Sequence, residues 1–155
     1  MNRKWSCLGL ICIFSLNSSV GLACQCGEIP GPVEAAKFAT QVFVGEVFAI
    51  ADGKDLVRID EKTTAGLSLK VVYFRVRARI KGELSDEVSL VTGFSTCSFE
   101  FETNHTYLVY TENSPGLVSG RLTAKECLPN KSYESALDDL KALDAAGFEA
   151  VKSND

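Results

Sequence analysis

The chain has 155 residues, 46% of them apolar and 23% charged, and sixteen basic against twenty acidic side chains give a net charge of −4. That is the composition of one globular domain, and it excludes both a disordered chain and a general binder of the nucleic-acid backbone. Six cysteines against a single histidine turn attention away from histidine-built metal centres and toward disulfides.

Residues 1–23 read as a signal peptide. Arg3 and Lys4 supply the positive start, Leu8 to Leu16 the apolar run, and Gly21-Leu22-Ala23 the small residues before a cleavage site. The run is too short for a permanent membrane span, and nothing after it approaches the roughly eighteen apolar residues that a span requires. Cleavage after Ala23 predicts a secreted, extracellular or periplasmic chain of residues 24–155, and losing Arg3 and Lys4 takes the net charge from −4 to −6. The cysteines left are Cys24, Cys26, Cys97 and Cys127, an even set that reads as a disulfide framework in an oxidising space. A competing reading makes Cys24 a lipid acceptor. It expects an aliphatic residue in place of Gly21 and leaves an odd number of cysteines to pair.

Pro30-Gly31-Pro32 predicts a turn, and Val33 to Phe38 a short helix behind it. Gln41 to Ala51 is apolar and β-prone and predicts a strand, with Gly45 as a bulge or bend. Asp52 to Gly66 is polar and reads as an exposed loop. Leu69 to Lys81 shows the clearest alternation: Val72, Phe74, Val76, Ala78 and Ile80 on one face, Tyr73, Arg75, Arg77, Arg79 and Lys81 on the other. In an acidic chain the cationic face reads as a solvated strand face with acidic neighbours, rather than a nucleic-acid stripe.

Further strands are expected at Glu87 to Thr92, Tyr107 to Thr111 and Leu117 to Ala124, with a turn at Asn113-Ser114-Pro115-Gly116. From Ser132, read as an N-cap, Ala136, Leu137, Leu140, Leu143 and Phe148 keep helical spacing, with acidic residues on the opposite side and Gly147 as the terminator. The whole predicts a mainly β domain: a small closed barrel or sandwich of five strands, with a short N-terminal helix and a C-terminal helix packed on it.

In Cys24-Gln25-Cys26 the two sulfurs point the same way, too far apart to bond each other readily, so each seeks a distant partner, Cys97 or Cys127. A four-cysteine zinc site is disfavoured by export, and a cysteine nucleophile has only His105 as base, in what reads as an exposed loop. No HExxH, phosphate-binding glycine loop or GxSxG occurs. Asn104-His105-Thr106 and Asn130-Lys131-Ser132 match the short N-glycosylation pattern. These readings point to a protein that is not an enzyme.

The signal peptide ending at Cys-x-Cys, the strand Val42-Phe43-Val44-Gly45-Glu46-Val47 and the strand closing on Ile80-Lys81-Gly82 resemble the netrin-like domain. So do Cys97 followed by Phe99 and Phe101, the run Tyr107-Leu108-Val109-Tyr110, and a last Cys127 before a helix. Within that group the chain is similar, over residues 24–150, to the tissue inhibitors of metalloproteinases, particularly their single-domain bacterial relatives. The resemblance implies an OB-type barrel and the pairing Cys24–Cys97 and Cys26–Cys127. It also implies a mechanism: the free α-amine and carbonyl oxygen of Cys24 chelate the catalytic zinc of a target metalloprotease, while Gln25 points into its S1′ pocket. The expected protein is a monomer with no cofactor of its own; the metal at Cys24 belongs to the partner. The animal inhibitors have a third disulfide in this domain, a second domain, and usually a small hydroxyl residue where Gln25 stands. The alternative function is an extracellular or envelope interaction module of the same fold.

Overall fold

The computed structural model describes residues 26–53, 68–93, 98–113, 122–124 and 127–152. The predicted leader, Cys24, Gln25, Cys97 and most of the loop after Asp52 lie outside the described residues.

A helix, α1 (Pro32–Phe38), precedes four strands: β1 (Gln41–Asp52), β2 (Lys70–Lys81), β3 (Glu87–Thr92) and β4 (Thr106–Asn113). A short β5 (Leu122–Ala124) follows. β1 pairs antiparallel with β2, β2 with β3, and β5 with β4, while β3 and β5 run parallel through Leu90↔Leu122 and Val91↔Thr123. Antiparallel pairing of β1 with β4, from Gln41↔Thr111 to Glu46↔Thr106, closes the ring. The order β1-β2-β3-β5-β4 and back to β1 is a closed five-stranded barrel of the OB type that the resemblance implies. It decides between the barrel and the sandwich that the strand pattern left open. Two pairings were not foreseen: β6 (Lys131–Ser132) lies along β4, and β7 (Val151–Lys152) along β2.

Apolar side chains divide into two cores. Phe43, Val47, Val72, Phe74, Val76, Leu90, Phe101, Tyr107, Val109 and Ala124 fill the barrel. Val42, Val44, Ile80, Leu108 and Tyr110 point out of the wall and meet Ala35, Ala36 and Ala39 of the α1 segment, and Ala136 and Leu143 of the C-terminal helix. β1 and β4 are therefore covered on both faces, which is why they read as near-continuous apolar runs, whereas β2 alternates only as far as Val76. Val72, Phe74 and Val76 face the barrel, and the bulge at Arg77 turns Ala78 and Ile80, expected on the same face, to the outer core.

Three register shifts curve the β1–β2 pair, between Val42 and Phe43, Val44 and Gly45, and Val47 and Ala49. The expected irregularity at Gly45 is among them, and its extra residue is Arg77 on β2; at the third shift the extra residue is Phe48 on β1. Gly45 also has a packing role. A Cβ built there would lie 2.8 Å from Cε2 of Phe43 and 3.2 Å from Cδ1 of Phe74, whose rings meet edge to face beside it.

The C-terminal helix differs from expectation at its start. Ser132 is not an N-cap: it sits in β6 opposite Tyr107, and its hydroxyl lies 3.0 Å from that of Ser135. A 3-10 turn (Glu134–Ala136) intervenes before α2 (Leu137–Ala145), which has no side-chain cap. Pairing of Lys131 and Ser132 with β4 holds the backbone extended until Tyr133, so the helix starts later than the side-chain pattern implies. Ala136, Leu140 and Leu143 make its inward stripe, while Leu137, one position off that stripe, is exposed. Its end matches the sequence reading. Gly147, at φ 86°, donates its N–H to Asp144 O, and the Phe148 N–H returns to Leu143 O, the paired bonds of a Schellman stop.

Candidate functional site

The candidate site begins at Cys24-Gln25-Cys26. Cys26 and Cys127 form a disulfide with Cα atoms 5.4 Å apart. The other pair implied by the resemblance, Cys24–Cys97, and the role of Gln25 lie outside the described residues. What the structure describes is how Cys26 is held.

Cys127 has the left-handed backbone φ of 63°, uncommon for a side chain with a Cβ, and lies in the turn before β6. Three residues on, Asn130 is buried, and its Oδ1 accepts the Tyr110 N–H at 2.7 Å in the middle of β4. The Asn130 N–H in turn donates to Leu128 O at 2.8 Å. The segment carrying Cys127 is thus bonded to the barrel wall by a buried amide, and the disulfide extends that attachment to Cys26.

On its other side Cys26 leads through Gly27-Glu28-Ile29-Pro30-Gly31 into α1. Pro32 occupies the first helical turn, where its missing N–H costs nothing. Ala35 and Ala36 seat the helix on Val42, Val44 and Ile80, their small side chains allowing close approach. Its C-terminal end is held by Lys81, whose Nζ donates to the carbonyls of Ala36 at 2.8 Å, Lys37 at 3.0 Å and Ala39 at 2.7 Å. A cation among the last carbonyls of a helix satisfies acceptors with no partner inside it and complements the helix dipole. Cys26 therefore stands between two anchors, the disulfide behind β5 and the helix sealed by Lys81.

The cationic face of β2 has structural partners. Arg77 holds Glu46 at 2.6 Å, and its guanidinium keeps the Glu46 carboxyl below its ordinary range. Arg79 donates from Nε to Leu84 O at 2.9 Å and pairs with Asp86. Arg75 lies over the Phe48 ring, 5.5 Å from its centroid. With Lys81 turned beneath α1, these contacts fit the reading of a strand face with acidic neighbours.

Sequence reasoning missed Asn130 and Lys81. Asn130 appeared only as part of a glycosylation pattern, yet its side chain is buried and bonded to β4. Lys81 fell on the solvent face by strict alternation. The bulge opposite Val42–Phe43 breaks that period and leaves Lys81 beside the end of α1. Asn104 is exposed in a turn at φ 63°, and His105 is exposed beside it, its Nδ1 3.1 Å from Thr103 O.

Among the described residues no group of three or more His, Cys, Asp or Glu side chains is placed to hold a metal ion. No helix among them is long and apolar enough to cross a membrane. No protein-family model and no curated protein matches the chain.

Proposed function

We propose that the protein is an exported inhibitor of zinc metalloproteases that acts through the N-terminus released by cleavage after Ala23. The observation that carries this reading is the Cys26–Cys127 disulfide. It ties the residue two positions after the new N-terminus to a turn that Asn130 bonds to the barrel wall. A metal-seeking amine needs such an attachment, because a ligand held in place before it meets its target loses less entropy on binding.

The chemistry belongs to Cys24. Free of its leader, its α-amine titrates at about pH 8, so a neutral fraction exists near physiological pH and a metal displaces the remaining proton. Amine nitrogen and carbonyl oxygen of one residue form a five-membered chelate with a metal. A catalytic zinc keeps an open position for water or substrate, and the chelate takes it. Gln25 then enters the pocket beyond the zinc, where its amide favours targets able to hydrogen-bond there.

The decisive comparison is between the chain starting at Cys24 and a twin with one added alanine before it, both assayed against a panel of zinc proteases. Chelation predicts inhibition by the first, roughly a hundredfold or greater loss in the second, the scale of removing a buried charge-assisted contact, and tighter inhibition as pH rises from 6 to 8. Equal inhibition by both, or none by either, overturns the mechanism. The second outcome leaves the interaction-module reading in its place.

A further inference from the structure

The segment after α2 returns across the barrel and pairs with β2 through Ala78↔Lys152 and Arg79↔Val151. Between this return, the helix and the barrel wall lies a half-open groove of about 440 Å³, within the size range of small-molecule sites, roughly 300–1,000 Å³. Its floor is apolar: Val44, Ile80 and Leu143 are buried and Phe148 packs beside them. Its polar lining is concentrated in Arg77, Lys152, Thr106, Tyr133 and Asp144.

That lining carries both signs. Arg77 and Lys152 are cations, and Thr106 and Tyr133 carry hydroxyl donors; Asp144 is the single acid. The two cations come together for structural reasons. Arg77 is the extra residue of the β2 bulge, and Lys152 stands opposite the next residue, Ala78. Arg77 shares its charge with Glu46, whereas Lys152 has no acidic partner within ion-pair distance among the described residues. An apolar floor whose rim offers the ammonium of Lys152 and two hydroxyl donors is complementary to an apolar body carrying a single carboxylate.

We propose that this groove binds a medium-chain carboxylate, the chain lying on Val44, Ile80, Leu143 and Phe148 and the carboxylate facing Lys152, with Arg77 engaged by Glu46 beside it. The groove contains neither Cys26 nor Cys127, and its test reads carboxylate binding rather than inhibition, so it stands or falls apart from the protease reading.

The test is an amide-shift titration of the intact mature chain with decanoate, with decanol as the uncharged probe. Decanoate is expected to move the resonances of Ala78, Leu143 and Phe148 saturably and to bind about tenfold more tightly than decanol. Lys152→Glu, an exposed change that leaves the core intact, is expected to remove that preference. Ala150→Trp, at the exposed edge of the groove, is expected to block both probes. No saturable shift below the micellar range of decanoate overturns the proposal. So does equal affinity for the two probes, indifference to Lys152→Glu, or binding that Ala150→Trp leaves unchanged.

Discussion

Two glycines show how differently the same residue is required. Gly147 has open space around its Cα but a φ of 86°, so Gly147→Ala meets only the left-handed backbone penalty, about 1–2 kcal/mol. Gly45 has no such φ, yet its added Cβ strikes the rings of Phe43 and Phe74, both fully buried and unable to swing away. Gly45→Ala is therefore expected to cost about 1–3 kcal/mol by overpacking, and urea midpoints of the two variants measure both effects. Tyr110 poses the opposite case. It is fully buried, and its hydroxyl has no hydrogen-bond partner among the described residues. Burial, aided by the charge of Asp139, pushes its pKa up. Folded-state pKa lies above unfolded, so this stabilisation is complete below about pH 10 and is lost as the pH rises further. Tyr110→Phe removes an unpaired polar atom without breaking a bond. It is expected to stabilise the fold by about 1 kcal/mol at pH 7 and to flatten the alkaline decline, read from denaturation at pH 7 and pH 10.5.

Among the elements, α1 and the turn at Cys127 have most bearing on the candidate site. The disulfide closes a span of 101 residues, and in the chain-entropy account a loop of that length contributes up to about 4.7 kcal/mol. The paired change Cys26→Ser with Cys127→Ser is expected to lose about 2–4 kcal/mol while the barrel still forms, checked by chemical denaturation and far-ultraviolet dichroism. On the proposed mechanism, protease inhibition falls further than stability explains, because the chain before α1 loses one of its two anchors. Much of this was legible in the chain. Alternation gave β2, the Pro30-Gly31-Pro32 turn gave the start of α1, and Gly147 gave the end of α2. The late start of α2 was hidden because a two-residue pairing with β4 has no periodicity to read. Asn130 was hidden because its partner is a backbone N–H twenty residues away.

At the scale of the whole molecule, fold class was readable because five β-prone segments separated by turns have few ways to bury their apolar faces. Which strands are covered twice was not readable, since that depends on where the two helices lie. The two-sided burial of β1 and β4 makes them the shared wall of both cores, Phe43 and Val109 facing inward while Val44 and Leu108 face the helices. That wall is also where the ring closes, with Gln41 meeting Thr111 from 70 residues away. Bringing together strands so distant in sequence carries a loop-closure cost that a local turn does not, and this pairing is expected to slow folding. Until it forms, β1 presents an apolar ribbon with an unpaired edge, the kind of surface on which chains associate wrongly. A copy that has not finished folding is thus most vulnerable to aggregation before its first and fourth strands find each other, and a chaperone that shields Gln41 to Asp52 during that interval would protect it most.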